Sequence, residues 1–116
     1  MYQRDVVLRW IEQIALVVRR MLYGPGPPDL AAARTHLNEA VSRHLGSLAQ
    51  VIPRLDPAAA AALIGDRDRI LGLALLLDLQ ASIQEAEGDR FSAAATRERA
   101  EEFRREASER AEPPTR

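Results

Sequence analysis

The chain has 116 residues, which suits one domain, leaves little room for a second, and is long enough to bury a core without staples. It contains no cysteine, which excludes disulfides, thiolate chemistry and zinc–thiolate sites and fits a cytoplasmic protein. The 16 basic residues, all arginine, nearly balance 17 acidic ones and interleave with them, so no dedicated nucleic-acid stripe is expected.

Ala, Leu, Arg and Glu are abundant, aromatics make up only 4% of the chain, and no segment alternates as a strand would. The sequence therefore reads as all-α: an antiparallel bundle of about five helices, one domain over residues 1–112, with Pro113 to Arg116 as a disordered tail.

Asp5 is placed to cap a first helix running to about Leu22, with Val7, Trp10, Ile11, Ile14, Val17, Val18, Met21 and Leu22 at helical spacing. Val6, Leu8 and Ala15 widen its apolar arc to roughly 200°, about twice what core packing requires. A helix so wide is expected to be covered on two sides, and Leu16 stands alone on its polar face. This makes Val6, Trp10, Ile14, Leu16, Val17 and Met21 interface candidates, with Trp10 as an anchor and a homo-oligomer as the simplest assembly. Glu12 interrupts the apolar stretch, which is too short to span a bilayer and lacks a small-residue cleavage site after it. A surface-lying amphipathic anchor is the remaining membrane reading, given Trp10 and its neighbouring arginines.

Tyr23 to Pro28 breaks the chain. Gly24 is expected to end the first helix in a left-handed conformation, and the prolines forbid continuation. Asp29 caps a second helix whose buried stripe is Leu30, Ala33, Leu37, Val41, Leu45 and Leu48, with Glu39 and Arg43 paired outside. Gly46 interrupts it, and Ser47 with Gln50 has the spacing of a capping box for a further turn. Asp56-Pro57 starts a short alanine-rich helix to Ile64, and Gly65-Asp66 closes that helix and caps the next. The fourth helix, about Arg67 to Glu87, is apolar almost all round (Ile70, Leu71, Leu73, Leu75, Leu76, Leu77, Leu79), which marks it as the centre of the bundle. Gly88-Asp89 turns into a fifth helix, Phe91 to about Ala111. Its thin apolar side is Phe91, Ala94, Ala100, Phe103 and Ala107, with Arg97–Glu101, Glu101–Arg105 and Glu106–Arg110 pairs outside and final turns expected to project into solvent.

His36 and His44 are eight residues apart, about 12 Å along a helix, too far to share a metal. The bundle motif of Glu followed by His three residues on appears only in reverse, as His36 and Glu39. No metal and no cofactor are expected, and His44 reads as a packed core residue. Asp78 sits among leucines on a stripe with Ser82 and Glu85. Arg9, Asp78 and Glu85 are the polar groups of an alternative reading, a small-molecule or catalytic pocket between helices, against which stands a stripe that faces solvent or meets an arginine of a neighbouring helix. There is no phosphate loop, no serine or threonine has an evident histidine–acid partner, and the greasy helix after Gly65 is unlike a DNA-recognition helix.

The opening Asp5-Val6-Val7-Leu8-Arg9-Trp10-Ile11-Glu12-Gln13 resembles the start of a bacterial family of short helical proteins whose function is uncharacterised. Separately, Leu71 to Ala107 is similar to a tetratricopeptide helical hairpin, with Ala74 and Leu75 in its first helix, Gly88-Asp89 at the turn, and Ala93 and Ala100 at small-residue positions. It departs from that pattern where the aromatic after the turn is displaced to Phe91 and the next aromatic position is Arg97. This resemblance implies an antiparallel hairpin with a concave face. Together these readings lean away from an enzyme and towards a helical module acting through protein–protein contact.

Overall fold

A computed structural model describes residues 3–110, with side chains from residue 6 onward. Among the described residues there are five α-helices and no strand: α1 (Gln3–Tyr23), α2 (Leu30–Leu45), α3 (Pro57–Ile64), α4 (Arg67–Ala86) and α5 (Arg90–Ser108). Two 3₁₀ turns, Gly46–Gln50 and Ile52–Arg54, link α2 to α3. None of these helices is long and apolar enough to cross a membrane. The expected tail, Pro113 to Arg116, lies outside the described residues.

Four helix starts follow from one local device. An aspartate just before the helix turns its carboxylate back onto a backbone N–H three residues on, which would otherwise lack a partner. Asp29 accepts from Ala32 N at 3.1 Å, Asp56 from Ala59 N at 2.8 Å, Asp66 from Arg69 N at 3.3 Å and Asp89 from Ser92 N at 3.0 Å. Asp5 differs: α1 starts at Gln3, so residue 5 lies inside the helix rather than at its cap. Ser47 and Gln50 also differ, because the first 3₁₀ turn carries no side-chain cap.

Gly24 does not end α1 as expected. Its N–H still donates to the Arg20 carbonyl at 2.9 Å, and a Cβ there would lie 2.5 Å from that same oxygen. Glycine is needed for space, and the positive φ expected there belongs to Gly26, at +87°. The chain then folds back, with Asp29 N donating to Met21 O at 3.0 Å.

Three ion pairs and one histidine fix the helix directions. Arg34 pairs with Glu87 at 2.6 Å while His44 meets Arg69, so α2 runs antiparallel to α4. Arg97 pairs with Glu85 at 2.6 Å and Arg104 with Asp78, so α5 is antiparallel to α4 as well. The core has two lobes on either side of α4. Leu76, Leu79 and Ile83 meet α1 and α2, whereas Ile70, Leu73 and Ala74 meet α3, α5 and the 3₁₀ segment. The apolar-all-round α4 is thus the centre of the bundle, because helices cover it on both sides.

The buried side of α5 is shifted from the expected one. Ala93, Ala100, Phe103 and Ala107 are buried, Ala94 is exposed, and Phe91 is 87% exposed. The last turns do not project into solvent, since Phe103 and Ala107 are fully buried in the lobe that α3 covers. Glu106–Arg110 forms as expected at 3.3 Å. Arg97 instead crosses to Glu85, and Glu101 accepts from Arg104 at 2.7 Å. Arg99 ties α5 to the 3₁₀ segment, donating to the carbonyls of Ile52 and Leu55 at 3.0 Å each while lying 5.1 Å over the Phe103 ring.

Candidate functional site: the face between α1 and α2

Ile11, Val18 and Leu22 of α1 point into the core and are buried. The side chains one step round the helix towards α2 are only partly covered. Val6 is 58% and Val17 37% exposed, and Trp10, Ile14 and Met21 are half-buried. At about 100° per residue these five fall within an arc of about 80°. Leu16, 61% exposed, stands about 80° away from Val6 on the far side. The continuous α1 helix therefore keeps five of the six interface candidates on one stripe, with Leu16 apart on the polar face as expected.

Two open depressions run along this stripe. One, of about 400 Å³, is lined by Val6, Val7, Trp10, Arg43, His44 and Arg69. The next, of about 380 Å³, is lined by Trp10, Ile14, His36, Glu39, Ala40 and Arg43. They share Trp10 and Arg43, whose guanidinium lies 5.7 Å from the indole centroid and divides the groove. That stacking replaces the Glu39–Arg43 pair expected along α2.

His44 forms the inner wall. It is buried, and its Nε2 lies 2.8 Å from the Arg69 carbonyl. A carbonyl can only accept, so Nε2 carries the proton. Burial pushes the imidazole below the ordinary histidine value; the hydrogen bond to the Arg69 carbonyl opposes that shift and the Arg69 charge adds to it. Arg69 answers across the same contact, its Nη2 donating to the His44 carbonyl at 3.3 Å. Space for the ring comes from Gly72, one turn along α4, where a Cβ would lie 2.8 Å from His44 Nε2 and 2.7 Å from Ile11 Cδ1. The expectation of a packed histidine holds. Its partner and Gly72's part were missed, because both lie on a helix more than 20 residues away. An isolated glycine within an apolar helix was the available signal.

The polar candidates are not brought together. Asp78 faces α5 and pairs with Arg104, which also donates to Glu101. Glu85 pairs with Arg97, whose hydrogen bonds hold the Glu85 carboxyl below the usual carboxylate range. Arg9 is exposed on α1, away from both. Among the described residues no cluster of three or more His, Cys, Asp or Glu has metal-holding geometry. A third depression, of about 310 Å³, lies between α2 and α5 over Leu73, Leu77 and Gln80. Arg99 lines it, but its guanidinium is already engaged by the two 3₁₀ carbonyls. No protein-family model, curated protein or solved structure matches the chain.

Proposed function

We propose that this protein is a non-enzymatic interaction module that binds another polypeptide through the α1 face. One observation carries the reading: Val6 and Val17, exposed, and Trp10, half-buried, lie on one stripe of α1 beside two open depressions, while Ile11, Val18 and Leu22 of the same helix are buried. Leaving such a stripe in water forgoes roughly 25 cal/mol for every Å² of apolar surface that a partner would cover. Leu16, Tyr23, Val51, Leu63 and Phe91 are also exposed, but each lies apart from this stripe: the first two on the opposite flank of α1, the others in the 3₁₀ segment, on α3 and at the start of α5. The competing reading, a small-molecule or catalytic pocket using Arg9, Asp78 and Glu85, loses support because both carboxylates are held in ion pairs with α5.

Site-specific photo-crosslinking in the native cell tests the module. A photoreactive residue at Val6 or Val17 should yield a defined protein adduct, and one at Phe91 should not. Equal yields from all three positions would refute a dedicated face.

A further inference from the structure

The charge around the stripe identifies what covers it. On one side, Arg9 and Arg20 lie about 60° and 40° round α1 from Val6 and are exposed. On the other, Arg43 rises from α2 over Trp10, and Arg69 closes the end of the groove. Both rims are cationic. The acids nearby are few. Glu39 stands beside Arg43, Glu12 lies on α1 about 120° from Val6, and Asp66 caps α4.

Two copies of this chain would therefore meet poorly. In a two-fold pairing the same patch faces itself, so each copy would bring one Glu39 against four arginines. Most juxtapositions would be guanidinium on guanidinium, which disfavours association. A partner with carboxylates on both flanks of an apolar ridge has the complementary pattern. Val6 to Val17 spans 11 residue steps, about 16 Å or three helical turns. The two depressions follow one another from Val6 to Ile14 with Val17 continuing the stripe beyond them, and an amphipathic helix meets such a row with anchors at i, i+3 or i+4, and i+7.

We propose that the α1–α2 face docks an acidic amphipathic helix of about three turns from another protein. Its apolar ridge sits on Val6, Trp10 and Val17, and its glutamates or aspartates meet Arg9 and Arg20 on one rim and Arg43 and Arg69 on the other. This rests on the interaction-module reading and replaces the homo-oligomer expected from the sequence with a heterologous, charge-selected complex.

The protein carries its own reporter, since Trp10 is its single tryptophan. The probes are a synthetic helical peptide of about 14 residues with a leucine ridge flanked by glutamates, and its twin with lysine at every glutamate. Titrated onto the full chain, the acidic peptide should shift Trp10 emission to the blue and bind at least about tenfold more tightly than the basic twin. Its affinity should fall as salt rises from roughly 50 to roughly 300 mM. Arg43→Glu should weaken the acidic peptide at least about tenfold and strengthen the basic one, a reversal that misfolding cannot produce. Equal binding of the two peptides, or of neither, overturns the acidic partner. So does a Trp10 shift with phosphatidylglycerol vesicles but not with peptide, which would assign the face to lipid. Concentration-dependent dimerisation abolished by Val17→Glu would assign it to a second copy, overturning this proposal while leaving the module intact. Crosslinks equal at Val6, Val17 and Phe91 would instead remove the module itself.

Discussion

Replacing Gly72 by alanine isolates the packing that builds the inner wall of the groove. Helix propensity alone predicts a gain of about 1 kcal/mol, because glycine loses more backbone freedom than alanine in a helix interior. The structure predicts the opposite sign. The added methyl would lie 2.7 Å from Ile11 Cδ1 and 2.8 Å from His44 Cε1 and Nε2, well inside ordinary contact distance. The Ile11 methyl is a flexible end and can rotate away. The His44 ring cannot retreat without releasing its 2.8 Å bond to the Arg69 carbonyl, which sits on α4 itself, one turn back. Overpacking costs about 1–3 kcal/mol and the weakened hydrogen bond up to about 1.5. After subtracting the propensity gain, Gly72→Ala should destabilise by about 1–2 kcal/mol. Urea titration followed by circular dichroism measures this directly, and the melting point should fall by about 4 °C per kcal/mol. In a His44→Ala background the clash with the ring disappears and only the flexible Ile11 methyl remains to move, so the same substitution should become neutral or stabilising. If Gly72→Ala raises stability in the native background, the close approach of α1, α2 and α4 is refuted.

Phe103→Ala, which empties a fully buried site, should cost about 3–5 kcal/mol by urea titration, whereas Phe91→Ala should stay within about 0.5 kcal/mol. Because burial lowers the His44 pKa, the unfolded chain takes up a proton at a higher pH than the folded one. The stability that His44 contributes is thus complete above the ordinary value of about 6.5 and declines as pH falls below it. Thermal melts between neutral and mildly acid pH should show this decline, His44→Leu should remove that part of it, and His36→Asn should retain it. Asp56→Ala should cost about 1 kcal/mol through the lost cap on α3, and Asp56→Asn should recover most of it. Arg99→Met keeps a long apolar side chain near Phe103 but takes the guanidinium from the Leu55 carbonyl and from the Ile52 carbonyl, which keeps only the Leu55 N–H. It should cost about 1–3 kcal/mol, and hydrogen exchange should quicken first across residues 46–55.

The class of fold and most helix boundaries were legible because their causes are local. Asp29, Asp56, Asp66 and Asp89 each bond an amide three residues on, so the signal and its partner share one short window. The unbroken apolar surface of α4 likewise states its burial without naming a neighbour. The site was only half legible. The width of α1's arc and the isolation of Leu16 on its polar face were legible from spacing alone, but which flank of the arc stays uncovered was not, because that depends on where α2 and α4 pack. For the stripe of Asp78 and Glu85, spacing left solvent exposure, an arginine of a neighbouring helix and a functional pocket open, and α5 decided among them by bringing Arg104 and Arg97 to the two carboxylates.

What the sequence by itself determined is an all-helical chain with capped starts, a central apolar helix and an over-wide first one, since each follows from periodicity and from bonds within a few residues. Only the tertiary structure decided that Phe103, and not Phe91, is core, and that Gly72 makes room for His44 and Ile11. It alone placed arginines from α1, α2 and α4 around one apolar stripe. These outcomes depend on which helices meet and at what distance. Packing sets that across long sequence separations, through steric fit and burial that no short window of residues contains.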